Sequence, residues 1–450
     1  MTTAADLIPR ATALIERWQE RWGPFETHSA LAPDPERLAA AWEAFAERMQ
    51  DHYPFFHPRF AGQMLKPPHP VAVAGYLAAM LVNPNNHALD GGPGTSAMER
   101  EVVQRLATML RLPEDALGHL TSGGTVANTE ALWVARELHP DRGVLFSDQS
   151  HYTHGRMSSV LRMDSRPVPS DARGRMDLEA AEALLNTGRY GTLVLTTGTT
   201  GLGAVDRVDE ALALRERHGV RLHVDAAYGG FFTAIADECG EATAALKAIG
   251  EADSVVIDPH KHGLQPYGCG AVLFREPAVG RFYKHDSPFT YFTSAELHLG
   301  EISLECSRAG AAAAALWLTL EAIDLRPILT AALRAARALA ARLGASEVLA
   351  LHLQPELDIV TYLPRAGTLA DVDRASRVML ELGMADREDP VFLSVVRLSR
   401  AALLANHPWL AGDEDGATIA RSVLMKPEHE PAVDGLAGRL EHLAAAALAQ

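Results

Sequence analysis

Two short apolar runs of the sequence each lead to an ionisable residue. Residues 222–225 (LHVD) end at Asp225, and residues 255–261 (VVIDPHK) carry Lys261 just beyond their last apolar position. Ligands of open α/β sheets bind at the carboxyl ends of the strands, so we expect both side chains at one edge of a sheet. A lysine in such a place is partly desolvated, which favours the neutral amine and makes Schiff-base chemistry available.

The two residues together are more informative than either one alone. A lysine that extends from a strand end and an aspartate that caps a helix are the ordinary explanations for single residues of these types. Lysine is scarce here, however, with five in 450 residues. As a pair, Lys261 and Asp225 predict a site for pyridoxal 5′-phosphate. The lysine would bind the aldehyde, and the aspartate would keep the pyridine nitrogen protonated, which makes the ring an electron sink.

A third segment has the composition of an anion site. The short run at 118–122 (GHLTS) is followed by Gly123, Gly124 and Thr125, which open a predicted helix. Small residues let backbone amides converge, and the start of a helix adds the positive end of its dipole. The segment therefore predicts a phosphate cradle, although a plain turn is the usual meaning of a glycine pair.

The elements that must position these residues alternate along the chain. Strand-like runs at 144–147, 192–197 and 222–225 are separated by helical segments, which predicts right-handed βαβ crossovers and a mostly parallel sheet. Before them, Ser96 stands three residues ahead of Glu99, a spacing that predicts a capping box at the start of a helix over 96–110.

Three of these segments together resemble one family. Residues 119–128 (HLTSGGTVAN), 223–230 (HVDAAYGG) and 258–263 (DPHKHG) are similar to motifs of the group II pyridoxal-phosphate-dependent amino-acid decarboxylases. The resemblance extends from about Asn83 to about Arg400. It implies the α/β class and fold type I, like aspartate aminotransferase, with a mostly parallel sheet in a large domain and a smaller carboxyl-terminal α+β domain.

The resemblance also implies roles for individual residues at the cofactor. His151 would stack on the pyridine ring and touch the substrate, and Ala227 would pack on the opposite face, where only a small side chain fits. Thr200 would contribute a hydroxyl, and His260 would support the site beside the phosphate. The complete expected set is Lys261, Asp225, Ala227, His151, Gly124, Thr125, Thr200 and His260.

A loop after the lysine is expected to complete the catalytic set. Residues 281–293 (RFYKHDSPFTYFT) break every periodicity, which predicts an active-site lid. In the family such a loop reaches across a dimer and carries a tyrosine that helps to protonate the carbanion after carbon dioxide leaves. Tyr291 is the candidate beside Lys261 and His151, and Tyr283 also fits. Some relatives without the matching tyrosine oxidise the substrate instead and make aldehydes.

Substrate contacts are expected from two distant segments. Arg397, in a predicted strand over 391–398, could clamp the α-carboxylate through its planar guanidinium. Arg400 is the alternative, and a surface ion pair is the ordinary role of either. Phe55 and His57 lie in a segment that forms a substrate-side wall in relatives, or they fill the core under a loop.

Length and composition bound the architecture. A chain of 450 residues, 48% of them hydrophobic, predicts two or three domains with a large core. We expect an amino-terminal segment (1–82), a cofactor-binding domain (83–320) and a small domain (321–450). The resemblance implies that the first segment packs on a partner subunit, and a plain intramolecular cap is the alternative. The family resemblance implies a homodimer with active sites at the subunit interface.

The charge and the absence of certain motifs exclude other classes. A formal net charge of −16 argues against nucleic acid and anionic membranes as partners. The sequence has no run of about 18 apolar residues and no leader-like start, so we expect a cytoplasmic location. Three cysteines without CxxC spacing, and histidines without HExxH spacing, predict no metal site.

The predicted reaction is decarboxylation of an L-amino acid to an amine and carbon dioxide. Residues 118–136 (GHLTSGGTVANTEALWVAR) and 287–292 (SPFTYF) resemble tyrosine-decarboxylase-like members, which favours an aromatic substrate such as tyrosine. An acidic amino acid is the alternative because arginines are plentiful. His262 departs from the family, in which a bulky apolar residue is usual, so it either reshapes the pocket or packs behind it.

Other activities of the fold are less well supported by the sequence. A carbon–carbon lyase acting on phosphorylated sphingoid bases usually has a membrane anchor and a basic surface, and neither is apparent here. An aminotransferase would lack the combination of the HVDAA and DPHK motifs. A scaffold without cofactor is disfavoured by the intact Lys261.

Overall fold

The computed structural model describes residues 3–284 and 303–450. Across these two ranges the helices are α1 (Ala4–Glu20), α2 (Pro35–Met49), α3 (Pro70–Val82), α4 (Pro93–Met109), α5 (Gly124–Leu138), α6 (Thr153–Val160), α7 (Leu178–Leu185), α8 (Val208–His218), α9 (Thr243–Ala248), α10 (Gly310–Ala322), α11 (Arg326–Gly344), α12 (Leu369–Ala385), α13 (Arg400–Asn406) and α14 (His429–Leu448). The strands are β1 (Leu117–Thr121), β2 (Gly143–Ser147), β3 (Ser165–Val168), β4 (Tyr190–Thr196), β5 (Arg221–Asp225), β6 (Ser254–Ile257), β7 (Gly270–Phe274), β8 (Leu349–Leu351), β9 (Ile359–Pro364), β10 (Ser394–Ser399) and β11 (Gly416–Val423).

The larger sheet has seven strands within the described ranges, in the order β1-β7-β6-β5-β4-β2-β3. Strands β2 to β6 pair in parallel, and β7 runs antiparallel to both of its neighbours. Every residue of the interior strand β4 is buried, as parallel sheets with both faces covered require. The predicted mostly parallel sheet is confirmed.

Five strands of this sheet deliver chemistry to the same edge. Because β1, β2, β4, β5 and β6 point in one direction, their carboxyl ends meet there. The glycine pair follows β1, His151 follows β2 and Thr200 follows β4. Asp225 is the last residue of β5, and Lys261 comes four residues after the end of the neighbouring β6. The edge predicted from the sequence is therefore present.

The carboxyl-terminal part is built on a second sheet. Its four strands within the described part of the chain, in the order β10-β11-β9-β8, are all antiparallel. Helices α11, α12 and α14 cover it with a core that includes Leu339, Tyr362 and Leu440. Helix α10 instead packs on α3 and α4. We propose that the boundary expected at residues 320–321 lies in the turn 323–325.

The amino-terminal segment (1–82) contains the helices α1, α2 and α3. Helix α1 packs on α3 and buries Ala11 and Ile15. Helix α2 buries none of its residues, and an apolar stripe along it is exposed. The large exposed side chains of that stripe are Leu38, Trp42, Phe45 and Met49. No described helix combines the length and apolar composition needed to cross a bilayer.

The capping box predicted at Ser96 and Glu99 is wrong. Helix α4 begins at Pro93, so both residues lie inside it rather than at its start. The Glu99 carboxylate is 1% exposed and accepts hydrogen bonds from Arg308 Nη1 (2.6 Å), the Leu120 amide (3.0 Å) and Asn86 Nδ2 (2.7 Å). Long-range partners, which the local spacing does not reveal, decide its role.

A buried carboxylate ties the two sheets together behind the strand edge. Asp358 precedes β9, is 0% exposed, and accepts a hydrogen bond of 2.6 Å from the Tyr228 hydroxyl of the large domain. His262 Nε2 lies 3.2 Å from its other oxygen. Burial lowers the pKa of the Lys66 ammonium to about 8, although the Asp358 charge opposes that shift. His262 is 1% exposed, so it packs behind the pocket.

Removal of this carboxylate should weaken the fold. Asp358→Ala leaves the Tyr228 hydroxyl without its acceptor and removes one of the negative charges that stabilise the buried Lys66 ammonium, so we expect the free energy of unfolding to fall by roughly 3–5 kcal/mol. Urea unfolding of the variant and the unmodified chain measures the difference. The exposed Asp413→Ala is the matched control and should unfold like the parent. A parental midpoint for Asp358→Ala would contradict this role.

Candidate active site

The strand edge encloses a cavity of about 300 Å³. Its walls come from the segments that follow β1, β2, β4, β5 and β6. Lys261 is the only lysine or arginine among the described residues that line it. The lining residues are Ser122, Gly123, Gly124, Thr125, Val126, Asn128, His151, Thr153, Thr196, Gly198, Thr200, Asp225, Ala227, Tyr228, Asp258, His260 and Lys261.

Lys261 lies in the cavity beside a carboxylate from its own turn. Its Nζ is 3.1 Å from Asp258 Oδ2, and its side chain is 21% exposed. The other oxygen, Asp258 Oδ1, is buried with no hydrogen-bond partner in the described part of the chain. Asp258 therefore orients the Lys261 amine through Oδ2, and its Oδ1 remains available at the cavity wall to accept a hydrogen bond.

Asp225 is a buried carboxylate that stays ionised. Its Oδ1 accepts from the Ala227 amide at 3.2 Å, and its Oδ2 lies 2.8 Å from His154 Nε2. Burial would raise the pKa of Asp225, but the hydrogen bond from His154 and the positive charge of Lys261 outweigh it and hold the pKa below its ordinary value. The cavity thus has a fixed negative charge near Lys261.

The start of α5 forms an anion cradle. Gly123 precedes the helix with φ of +153°, a conformation that favours glycine, and no side chain caps this helix end. A Cβ on Gly124 would lie 2.8 Å from Asp258 Oδ2, so a larger residue would displace the Asp258 carboxylate. Free amides of the first helical turn, with the helix dipole, suit a phosphate.

Two histidines flank the cavity. The Thr153 amide donates to His151 Nδ1 at 3.3 Å, which leaves the ring proton on Nε2. Burial lowers the pKa of His151, so the ring is neutral near pH 7. His260 Nδ1 lies 2.8 Å from the Cys269 carbonyl, and burial lowers the pKa of His260 as well. Both rings can therefore pack or donate without adding a positive charge.

The structure brings together the residues expected at the cofactor. All eight line the cavity: Lys261, Asp225, Ala227, His151, Gly124, Thr125, Thr200 and His260. Tyr291 lies outside the described residues. The alternative, Tyr283, is 6% exposed and packs against Trp133, with ring centroids 4.9 Å apart, rather than in the cavity wall.

The residues expected at the substrate are placed elsewhere. The Arg397 side chain is 52% exposed and pairs with Asp373 and Asp415. Arg400 lies 3.8 Å from the exposed Asp413. Since neither arginine lines the cavity, the structure does not bring a carboxylate clamp from that strand end.

The aromatic segment before α3 is also remote from the cavity. Phe55 packs against the buried Phe60, with ring centroids 4.9 Å apart. His57 accepts from the Arg59 amide and lines a separate cavity near Asp389 and Arg439. The structure therefore favours the alternative of packing under a loop for Phe55, and within this chain neither residue reaches Lys261.

An arginine that the sequence analysis missed lies behind the Thr200 loop. Arg421 of β11 is 8% exposed and donates to the carbonyls of Thr200 and Gly62 and to the Ser394 hydroxyl. No carboxylate pairs with it among the described residues, and burial lowers its pKa. The sequence signal was an arginine inside the small and apolar run GATIARSV, where a charge is costly without a partner.

The donor set fits pyridoxal 5′-phosphate. The cofactor needs an amine for its aldehyde, a carboxylate for its ring nitrogen and an anion cradle for its phosphate. Lys261, Asp225 and the start of α5 supply these three groups in one cavity. Two further observations favour a bound cofactor. Asp258 Oδ1 has no hydrogen-bond partner in the described part of the chain, and Gly124 leaves free the space that a Cβ would fill.

Comparison with known sequences points to one family. A family profile described as the pyridoxal-dependent decarboxylase conserved domain matches residues 49–363. A probable L-tyrosine/L-aspartate decarboxylase of Methanoculleus marisnigri is 33% identical over 264 residues, which cover 58% of this chain and 69% of that protein. An L-tyrosine decarboxylase of Enterococcus faecium is 29% identical over 366 residues, and the match covers 59% of this chain and 60% of that protein.

Solved structures share the fold over nearly the whole chain. The crystal structure of mouse CSAD superposes with a TM-score of 0.79 at 22% identity and covers 98% of this chain and 94% of its own. The crystal structure of Oryza sativa TDC with PLP and tryptamine gives 0.77 at 18% identity, with 97% of each chain covered. The predicted fold class, α/β of fold type I, is confirmed.

The anion cradle can be tested through Gly124. The Cβ of Gly124→Ala would crowd Asp258, and overpacking of this kind typically costs about 1–3 kcal/mol, so we expect roughly tenfold weaker binding of pyridoxal phosphate. Fluorescence titration of the apoprotein measures the dissociation constant. Gly438→Ala in α14, where a Cβ meets no atom within 4 Å, is the control and should bind normally. Equal affinity of the two variants would place the phosphate elsewhere.

Proposed function

Because this chain belongs to the pyridoxal-dependent decarboxylase family, we propose that it converts an aromatic L-amino acid, tyrosine foremost, to its amine and carbon dioxide. Family membership confirms the cofactor, pyridoxal 5′-phosphate, and the reaction class predicted from the motifs. The observation that carries the proposal is the meeting of Lys261, Asp225 and the start of α5 in one cavity.

The chemistry divides between the cofactor and the chain. Pyridoxal 5′-phosphate, when bound, supplies an electron sink for the pair of electrons that the departing carboxylate leaves behind. Lys261 would hold its aldehyde, and the start of α5 its phosphate. Asp225 would keep a proton on the ring nitrogen, since its charge is maintained at neutral pH.

The remaining lining residues would orient the substrate. Ala227 and His151 come from different strand ends and would bracket the planar ring. His151 Nε2–H is free to donate because Nδ1 already accepts from Thr153. Lining residues that orient the substrate so that its α-carboxylate, rather than its α-hydrogen, leaves would select decarboxylation over transamination.

An aromatic substrate is supported by the charge of the cavity. Beyond Lys261, no lysine or arginine among the described lining residues is available for a carboxylate on the substrate side chain. The Enterococcus faecium relative is named for tyrosine alone. A neutral, ring-bearing side chain therefore suits this site best.

Aspartate is the second candidate, and Arg421 is the observation that favours it. Its guanidinium is buried without a carboxylate partner in the described part of the chain, directly behind Thr200. Such a cation gains most from a planar carboxylate. We propose that Arg421, which lies behind the lining residue Thr200 rather than in the cavity wall, binds a carboxylate of the substrate. A contact to the side-chain carboxylate would favour acidic amino acids, whereas a contact to the α-carboxylate would serve every substrate.

We also propose that the enzyme is a homodimer. The stripe of Leu38, Trp42, Phe45 and Met49 on α2 is too extensive to leave in water, and Trp18 of α1 lines an apolar groove against α3 and α10. A second copy of this chain would cover both surfaces at once. Sedimentation that finds a fully active monomer would contradict this assembly.

Carboxyl-labelled amino acids test the reaction. With pyridoxal phosphate added, the protein should release labelled carbon dioxide and an equal amount of tyramine from L-tyrosine, faster than from L-aspartate or L-glutamate. Lys261→Ala should reduce release to background and remove the visible absorbance of the bound cofactor. Release from acidic amino acids alone would replace the substrate, and a cofactor-loaded protein that releases carbon dioxide from none would refute the decarboxylase assignment.

Arg421→Met separates the two roles of that arginine. A hydrogen bond to a charged group is worth roughly 1.5–3 kcal/mol, so loss of the α-carboxylate contact should raise KM at least tenfold for tyrosine and aspartate alike. Arg397→Met, at an exposed arginine, is the control and should leave both values unchanged. If aspartate alone is affected, Arg421 binds a side-chain carboxylate instead.

A further inference from the structure

Asp225 has a partner that the cofactor motifs do not include. His154 lies in the first turn of α6 and is 0% exposed. Its Nε2 is 2.8 Å from Asp225 Oδ2, on an oxygen that receives no other hydrogen bond among the described residues. The Ala227 amide is the donor to the other oxygen, at the longer distance of 3.2 Å.

The His154 ring has no other polar role in the described part of the chain. Its Nδ1 is buried and makes no hydrogen bond there. The hydrogen bond from Nε2 to the ionised Asp225 is therefore the one polar contact of this ring in the described part of the chain.

The ring is held from two sides. Phe146 of β2 lies beside it, with ring centroids 6.1 Å apart, and His223 of β5 approaches edge-on at 6.3 Å. His223 is fixed in turn by Ser254 Oγ (2.9 Å) and Asn128 Oδ1 (2.8 Å). Burial lowers the pKa of His223 to about 3, so it remains neutral and does not repel a proton on His154.

We propose that His154 is a positioning residue of the active site, which holds Asp225 ionised and aligned so that this carboxylate can pair with the protonated ring nitrogen of pyridoxal phosphate. The inference rests on the proposed function, because it assumes that Asp225 meets that nitrogen. His154 does not line the cavity, so it acts through Asp225 alone.

Loss of the histidine would change the balance of forces on Asp225. The other charged or titratable groups that face it are Lys261 and Asp258 from the turn after β6, His151 from the segment after β2, and His223 on its own strand. Without the His154 donor, burial would dominate and raise the pKa of Asp225. A protonated Asp225 cannot form an ion pair with a pyridinium nitrogen. Pyridoxal phosphate would then be a weaker electron sink and would bind less tightly.

The test compares two ligands that differ at one atom. Apoprotein is titrated with pyridoxal phosphate and with its analogue that has C–H in place of the ring nitrogen. Both carry the aldehyde and the phosphate, so the ratio of their dissociation constants isolates the ring-nitrogen contact. The variants are His154→Phe, which keeps a planar ring but no donor, and His154→Gln, whose amide can donate to Asp225. His154→Leu is measured as a second apolar variant should His154→Phe not fold.

The expected result is a loss of discrimination. The preference for the nitrogen ligand should fall roughly tenfold or more in the apolar variants, the typical effect of losing a hydrogen bond to a charged group, and should be largely restored in His154→Gln. The remaining preference should decline further as the pH falls through the raised pKa of Asp225, at a higher pH than in the parent. Thr125→Ala, at the phosphate cradle, should weaken both ligands equally.

Two outcomes would contradict the proposed role of His154, and they can be distinguished from each other. If the parent prefers the nitrogen ligand and a folded apolar variant keeps that preference at every pH, His154 has no such role and the proposed function stands. If the parent binds neither ligand, or shows no preference between them, the proposed function and this inference both fail.

Discussion

A buried carboxylate that must remain ionised is the constraint on which this site depends. Asp225 lies at the end of a central strand, 5% exposed, where desolvation favours its neutral form. It stays charged because the Ala227 amide and His154 Nε2 reach its two oxygens and Lys261 adds positive charge nearby. Each partner comes from a different connection between strands. The topology of the parallel sheet therefore brings together the groups that stabilise the Asp225 charge.

The same principle organises the rest of the molecule. Glu99 is buried against Arg308 where the first segments meet the sheet, and Asp358 joins Tyr228 and His262 across the two domains. Arg421 is the exception, a buried charge whose described partners are all neutral. Its contact with the Thr200 carbonyl joins β11 of the second sheet to a loop that lines the cavity.

The sequence predicted the site better where the chemistry is local. Strand ends can be recognised from apolar runs, and parallel strands bring their ends together, so Lys261, Asp225 and Gly124 could be placed at one edge in advance. Contacts across long separations could not. Ser96 and Glu99 match a capping box locally, but the helix begins at Pro93, and Glu99 lies inside it, where it accepts from Arg308. Arg421 and His154 were missed for the same reason, since their partners lie on other elements.

The most direct measurement of the central claim is a crystal structure with pyridoxal phosphate bound. We expect a bond between Lys261 Nζ and the aldehyde carbon, the ring nitrogen within hydrogen-bond distance of Asp225, and the phosphate on the first turn of α5. A cofactor bound with its ring nitrogen away from Asp225, or with its phosphate outside the Gly124 cradle, would contradict the account even if the protein were active.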